Sequence, residues 1–160
     1  MKMQTQTLAL ATVLLAISST VQGQAPPDFG LRLTFGCAIP DVLDTVNGTY
    51  TRAMSKGGRI AKITISSGLK DQLFNLVNEM RFFETPEHVS GLGLCEPTSA
   101  YLLHVKSGGR VHEVRWDDCH SGEPDTDEGR RMRALAEGVV APFAAMRSVR
   151  RLPMSDLICM

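Results

Sequence analysis

The sequence lacks the short motifs by which common enzyme classes are recognised. It contains no G-x-S-x-G elbow, no H-E-x-x-H pair, no phosphate-binding loop and no dinucleotide fingerprint. It also lacks C-x-x-C, which argues against a zinc knuckle and a thioredoxin-like redox site. Catalytic sites can assemble from scattered residues, but these absences favour a protein that is not an enzyme and holds no cofactor.

The chain also has no net charge of either sign. Its 17 Lys and Arg residues balance its 17 Asp and Glu residues. Composition therefore gives no argument for nucleic acid, or for an anionic membrane surface, as a partner.

No apolar run is long enough to cross a membrane. The run at residues 8–17 has 10 residues, whereas a spanning helix needs about 20. It follows Lys2 and precedes small residues at positions 21–23, a layout that predicts a signal peptide over residues 1–23. An uncleaved N-terminal anchor helix is the alternative. We expect a secreted or periplasmic protein without stable membrane insertion after cleavage.

The rest of the chain has the size of one domain. Residues 24–30 include Pro26 and Pro27 and predict a flexible leading segment. Residues 31–160 are then long enough to bury a core of their own.

Cysteine is present in an even number. Cys37, Cys95, Cys119 and Cys159 all follow the predicted signal peptide, and an even count in an exported chain predicts two disulfides. Four cysteines allow three connectivities. The hairpin register described below places residue 98 opposite Cys119, which favours Cys95–Cys119 and leaves Cys37–Cys159.

Two glycine pairs predict two β-hairpins. A first strand is indicated by the alternation of apolar residues over 31–37. A turn at Gly57-Gly58 would pair Tyr50 with Ile65, and Arg52 with Ile63, a mismatch that a bulge could correct. A turn at Gly108-Gly109 gives a cleaner register. Its predicted pairs are Tyr101 with Trp116, Leu102 with Arg115, Leu103 with Val114, His104 with Glu113 and Val105 with His112.

Each hairpin is followed by a predicted helix. Ser67 can cap the first, and Asp125-Thr126-Asp127-Glu128 resembles a capping box for the second. Pro142 should end or kink that second helix. The resulting order, β-ββα-ββα, predicts an α+β fold: an antiparallel sheet with two helices packed on one face, stapled by disulfides.

Scattered residues resemble a pattern seen in small secreted or lipid-anchored bacterial proteins of unknown function. The resemblance implies a bacterial envelope setting and brings no activity and no catalytic residues. It is carried by Asp44-Thr45, Gly48-Thr49-Tyr50-Thr51-Arg52, Arg81-Phe82-Phe83, Pro86, Cys95-Glu96-Pro97, Trp116-Asp117 and Leu152-Pro153.

Two polar constellations could carry chemistry. Asp117-Asp118-Cys119-His120 could bind a divalent cation, although a solvated loop is the favoured interpretation and no metal site is assigned. His104 opposite Glu113 could be an acid–base pair, but a cross-strand surface pair is favoured. No catalytic residue is therefore assigned.

Two surface features could involve other molecules. Arg147, Arg150 and Arg151 share a face if the C-terminal helix continues, and form a possible binding surface for an acidic partner or a lipid head group. Asn47-Gly48-Thr49 is a glycosylation sequon that matters only in a eukaryotic host.

These observations support a functional hypothesis rather than an assignment. The leading hypothesis is a non-catalytic exported binding domain, of inhibitor-like or immunity type, that caps an envelope or extracellular protein. The alternative is a secreted protein that binds a small ligand or a metal ion.

Overall fold

The computed structural model describes residues 23–37, 39–89, 98–119 and 126–153. They form an α+β fold, as predicted, around a seven-stranded sheet. The strands are β1 Gly30–Gly36, β2 Asp41–Asp44, β3 Thr49–Arg52, β4 Arg59–Lys62, β5 His88–Val89, β6 Thr98–Ser107 and β7 Arg110–Cys119. The helices are α1 Ser67–Glu79, α2 Asp127–Ala144 and α3 Arg147–Arg150, with a 3-10 turn at Phe82–Glu84.

The strands lie in the order β4-β3-β2-β1-β6-β7-β5. Every pairing is antiparallel except that of β5 with β7. The chain order differs from β-ββα-ββα, because β2, β5 and α3 are additional elements. Strand β2 was missed because Pro40 and Asp41 look like a strand break, whereas the chain reverses there and pairs again with β1.

The second hairpin has the predicted register, with Tyr101 opposite Trp116 and His104 opposite Glu113. Its turn works because both Gly108 and Gly109 adopt positive φ angles, 57° and 75°. A two-residue hairpin turn of this type requires that conformation.

The register predicted for the first hairpin is wrong. Tyr50 pairs with Ala61 rather than Ile65, and Arg52 with Arg59 rather than Ile63. The strands separate early because the Ala53 amide donates to Asp41 Oδ1 at 2.7 Å, and Gly58, unlike Gly57, has no positive φ. A wider loop replaces the tight turn.

A single hydrophobic cluster joins the sheet to the helices. Alternate strand residues such as Leu33, Leu103 and Trp116 are fully buried, together with Val77 of α1 and Leu135 of α2. The helices approach closely at Gly138, where an added Cβ would lie 2.7 Å from a methyl carbon of Leu76.

The helix boundaries follow local capping. Helix α1 is capped by Ser66, one residue before the predicted Ser67, through a 3.2 Å bond from the Leu69 amide. Helix α2 is capped by Thr126, which lies within the predicted capping box, and it ends two residues after Pro142. In the described part of the chain, no helix combines the length and apolarity needed to cross a bilayer.

The predicted pairing of the cysteines is not found among the described residues, although Cys37 itself is disulfide-bonded. Among the described residues, no two cysteines lie at disulfide distance. Cys95, Cys159 and the side chain of Cys119 lie outside those residues. Cys37 follows β1 directly, and its Sγ lies 3.4 Å from Ser99 Oγ of β6. Neither predicted pair, Cys95–Cys119 or Cys37–Cys159, lies within the described residues.

The segment before β1 contacts helix α1. The Ala25 amide donates to Asp71 Oδ1 at 2.8 Å, and Lys70 Nζ donates to the Pro27 carbonyl at 2.8 Å. The Phe29 ring packs edge-on against Phe74, with 5.5 Å between centroids. Residues 1–22, which hold nearly all of the predicted signal peptide, lie outside the described part.

Candidate binding groove on the open sheet face

One face of the sheet faces the helices, and the opposite face carries side chains arranged in rows across the strands. Consecutive pairings define a charged row, one residue per strand from β4 to β7, and beside it an aliphatic–threonine row. The charged row is Lys62, Thr49, Asp44, Arg32, His104 and Glu113. The aliphatic–threonine row is Ile60, Thr51, Val42, Thr34, Leu102 and Arg115.

A groove of about 490 Å³ lies where these rows cross β1 and β6. Its described lining comes from strands and from the β2–β3 turn, with no helical residue among it. Thr34 and Leu102 contribute to it from the aliphatic–threonine row, and Val46 contributes from the turn. We call this the open-face groove.

Asp44 lines the groove, and its carboxylate accepts hydrogen bonds from residues of the β2–β3 turn. Its Oδ1 accepts the amides of Val46 and Asn47 at 3.0 and 2.9 Å, and its Oδ2 accepts Asn47 Nδ2 at 2.7 Å. Burial favours a raised pKa for Asp44, but these hydrogen bonds and the nearby Arg32 charge outweigh it and hold the pKa below its ordinary value. The Asp44 carboxylate therefore stays ionised at neutral pH and keeps its negative charge beside Arg32.

The cations of the groove interact with these carboxylates through charge alone, Arg32 with Asp44 and Lys106 with Asp28. Arg32 and Lys106 are exposed, and neither forms a hydrogen bond or an ion pair with any other described residue. His104 Nδ1 and Glu113 Oε2 are 3.6 Å apart, and both side chains are about half exposed. Such exposed pairs contribute little to the free energy of unfolding. The groove therefore presents exposed donors of Arg32 and Lys106, together with the carboxylates of Asp44 and Glu113, beside an aliphatic floor.

A second groove adjoins the first. It also measures about 490 Å³ and shares Val46 and Lys106 with it. It continues over Phe29, Ile65 and Lys70 toward α1. We call it the side groove.

Asp28 lines the side groove, and its carboxylate, like that of Asp44, accepts hydrogen bonds from the residues of a turn. Its two carboxylate oxygens accept the Gly108 and Gly109 amides at 2.9 and 2.8 Å. The bond from Gly109, then that from Gly108, lowers the pKa of Asp28 below its ordinary value.

The residues considered for metal binding do not form one site in the described structure. Asp118 is almost completely buried and accepts two hydrogen bonds from the Arg133 guanidinium, whereas Asp117 is exposed. His120 lies outside the described part. Among the described residues, no group of three His, Cys, Asp or Glu side chains could hold a metal ion.

His112 and Glu113 point to opposite faces of the sheet, as alternation along β7 predicts. His112 Nε2 lies 2.8 Å from the Thr85 carbonyl oxygen. Its ring is 5.3 Å from that of Phe82. Glu113 lines the open-face groove instead.

The proposed arginine surface lies away from the groove. Arg147, Arg150 and Arg151 are exposed on and just after α3, which contacts β4 at the end of the sheet. The Arg52 guanidinium holds the chain after α3 by donating to the carbonyls of Leu152 and Pro153, at 3.3 and 3.1 Å. None of the three surface arginines is among the described residues that line either groove.

The predicted Tyr101–Trp116 pair belongs to the helix-facing side. Their rings stack with centroids 5.1 Å apart, and Phe35 stacks on the other side of Tyr101 at 6.4 Å. Burial, reinforced by the Asp118 charge, raises the pKa of Tyr101. Trp116 is fully buried, and its indole Nε1 has no hydrogen-bond partner among the described residues. Its role is therefore in the core.

Sequence reasoning missed the open-face groove because β2 was missed. The signal that could have revealed it is Asp44 followed by Asn47-Gly48, since Asp, Asn and Gly at such spacing are typical of a tight turn. The structure confirms that turn, with Gly48 at φ 60°. Asn47 of the sequon is exposed there.

Comparison with known proteins adds no family. No protein-family model matches the sequence, and no significant match to a curated protein is found.

Proposed function

We propose that this protein is an exported, non-catalytic binding domain that docks a partner protein on the open face of its sheet. The observation that carries the proposal is the open-face groove, which combines an aliphatic floor with two exposed cations, Arg32 and Lys106, that form no hydrogen bond or ion pair with another described residue. Apolar contact supplies affinity and unpaired charge supplies orientation in such interfaces. The setting proposed is a bacterial envelope, where an inhibitor-like or immunity-type protein would cap its partner.

The dimensions of the face support a protein-sized contact. Adjacent strands lie about 4.8 Å apart, so seven strands span roughly 29 Å. A stable protein interface buries about 800 Å² per partner. The face with its rim is large enough to supply most of that area.

The test is partner capture that depends on this face. The full-length gene, with a C-terminal tag, is expressed in a bacterium, and proteins crosslinked to the product in envelope fractions are identified. Leu102→Glu places a charge in the groove floor, and Lys56→Ala, at an exposed loop position, is the matched control. We expect the wild type and the control to recover the same specific protein, and Leu102→Glu to lose it. Equal recovery by all three, or no specific protein, contradicts the proposal.

A small-molecule ligand is the second candidate, favoured by the groove volume. Its 490 Å³ lies within the range of about 300–1,000 Å³ that is usual for small-molecule sites. A ligand that binds only the folded state must raise the unfolding temperature. A thermal-shift screen of metabolites tests this, and a shift that Leu102→Glu abolishes would favour this candidate over a protein partner.

A further inference from the structure

We infer that the open face of the sheet binds a second copy of this chain, in a two-fold symmetric dimer with the two sheets face to face. The inference goes beyond the proposed function and rests on it only in the choice of the face. A second copy and an envelope partner would compete for that face, so the dimer would hold it covered until the partner displaces one copy.

The charged row is complementary to its own reverse. From β4 to β7 it runs positive, neutral, negative, positive, imidazole and negative, in the order Lys62, Thr49, Asp44, Arg32, His104 and Glu113. A two-fold axis that lies between the sheets and runs along the strands reverses this order in the second copy. With the axis between β2 and β1, Asp44 faces Arg32 of the second copy. Lys62 then faces Glu113 of the second copy.

The same charges favour this position of the axis over its neighbours. An axis on β2 would place Asp44 opposite its own counterpart, and an axis on β1 would do the same to Arg32. One strand spacing away on either side, Asp44 would face Glu113, or Lys62 would face Arg32. Like charges placed opposite each other cost free energy. In the central position, the two Asp44 and two Arg32 charges instead alternate around the axis.

An exposed valine lies where the axis would pass. Val46 follows β2 in the chain and lies across Gly30 of β1, where an added Cβ would be 2.5 Å from a Val46 methyl carbon. Its side chain therefore lies over the boundary between these two strands, yet Val46 is 75% exposed. In the dimer, Val46 contacts Val46 of the second copy, and this contact removes both apolar side chains from water.

The exposed apolar side chains of the described chain are concentrated on this face. Of the four large ones found there, Val46, Ile60 and Val111 lie on the open face, and Ile39 lies in the loop after β1. Exposed apolar side chains that share one face favour an interaction surface. The charge order selects a second copy as the occupant of that surface.

The aliphatic–threonine row is compatible with the same axis. Reversal places Val42 opposite Thr34 of the second copy, and Leu102 opposite Thr51, at the spacing of about 10 Å that is usual between packed sheets. Strands β2, β3 and β4 have four residues each, so the common face is only about 14 Å deep. An interface of this size is at the small end of those that are stable. We therefore expect a reversible dimer, which is closed and adds no further copies through this face.

The experiment measures self-association of the full processed chain by sedimentation equilibrium, from about 1 μM to about 1 mM. We expect a monomer–dimer equilibrium with a dissociation constant of about 10 μM at low salt. The constant should rise with salt, because salt screens the opposed charges. A chain that is still monomeric at about 1 mM overturns the inference.

Charge-reversal variants test the pairing of the rows. Lys62→Glu and Glu113→Lys each place like charges opposite each other at two symmetric contacts, and each should weaken the dimer about tenfold. An equimolar mixture of the two variants should restore the wild-type affinity to within about twofold, because each reversed charge then faces an opposite one. The matched control is Glu79→Lys, an exposed position of α1 on the other side of the sheet.

The control separates a specific contact from a general effect of net charge. Glu79→Lys should leave the dimer unchanged, and mixing it with Lys62→Glu should not restore association. Equal weakening by Glu79→Lys, a dimer that neither Lys62→Glu nor Glu113→Lys weakens, or a mixture of those two that does not recover overturns the inference.

Crosslinking tests the position of the axis. Two copies of Val46→Cys should be joined by a short bis-maleimide, because residue 46 meets its counterpart at the axis. Ile60 is also exposed, but β4 is far from the axis and its two copies would lie roughly 24 Å apart. Ile60→Cys should therefore not be joined. Crosslinking of Ile60→Cys, or none of Val46→Cys, overturns the inference.

Failure of the inference is distinguishable from failure of the proposed function. If the purified chain is monomeric but Leu102→Glu loses a captured envelope protein, the face binds a partner and the dimer is wrong. If the chain dimerises as described but no envelope protein is captured, the dimer stands and the proposed capping of a partner fails.

Discussion

Arg133 of α2 donates two hydrogen bonds to Asp118 of β7, one of them from Nε to Oδ2 at 2.8 Å. The Asp118 side chain is 5% exposed and that of Arg133 is 22% exposed. The pair therefore joins the longest helix to the end of a central hairpin in a place where water cannot fully replace either partner. A bidentate arginine–carboxylate pair also fixes orientation.

Removing Arg133 should leave a buried carboxylate without its partner. We expect Arg133→Ala to lower the free energy of unfolding by about 3 kcal/mol, near the lower end for buried pairs because Arg133 retains some solvent contact. Urea denaturation measures this. Arg150→Ala removes an exposed arginine from α3, and we expect it to cost less than about 0.5 kcal/mol. Equal losses in the two variants would show that the Arg133–Asp118 pair is not a major contributor.

Asp44 should make stability depend on pH. Its pKa is lower in the folded chain than its ordinary value of 3.8. A carboxyl with a depressed folded pKa stabilises the fold above its unfolded pKa, and this stabilisation is lost as the pH falls through the folded value. We expect Asp44→Asn to cost about 1 kcal/mol at neutral pH.

The sign of that pH effect is the sharper test. On acidification from about pH 6 to about pH 2, the free energy of unfolding should fall less in Asp44→Asn than in the wild type. Exposed Asp117→Asn is the control and should follow the wild-type curve. Parallel curves for all three proteins would contradict the assigned role of Asp44.

Two glycines should respond in opposite directions to the same substitution. Gly109 has a φ of 75°, so Gly109→Ala should lower the free energy of unfolding by about 1–2 kcal/mol. Gly68 lies in the first turn of α1, where an added Cβ meets nothing within 4 Å. Gly68→Ala should therefore raise the free energy of unfolding by about 0.5 kcal/mol. Thermal and urea unfolding measure both, and a stabilising Gly109→Ala would be incompatible with the described turn.

Export predicts a defined N-terminus. When the full-length gene is expressed in a bacterium, we expect the product to be recovered outside the cytoplasm, cleaved after Gly23 within a few residues. Intact-mass measurement of the fractionated protein checks this. Recovery of the uncleaved chain in the cytoplasm would contradict it, while uncleaved chain in the membrane would support the anchor alternative.

The second hairpin could be predicted in full because its determinants are local. Gly108 and Gly109 fix the turn, and the alternation of Leu103 and Val105 fixes which face is buried. The first hairpin failed for the opposite reason. Asp41, which precedes it in the chain, accepts a hydrogen bond from the Ala53 amide. That amide therefore does not join the hydrogen-bond ladder between the strands. Neither glycine composition nor periodicity encodes that contact.

The groove depends on pairings that sequence reasoning did not reach. Arg32 lies between Asp44 and His104 only because β1 pairs with β2 on one side and with β6 on the other. The second partner is some 70 residues away along the chain, and such non-local pairings leave little trace in local patterns. His104 and Glu113 were placed opposite each other from sequence, but the cations beside them were not.

The two ends of the sheet have consequences for how this domain meets copies of itself. Strand β4 is four residues long and carries exposed Arg59 and Lys62, and β5 is only two residues long. Short, charged edge strands oppose the strand-to-strand addition that leads to aggregation. The domain can therefore keep a broad face of side chains available to a partner while its backbone edges discourage self-assembly, even at high local concentration.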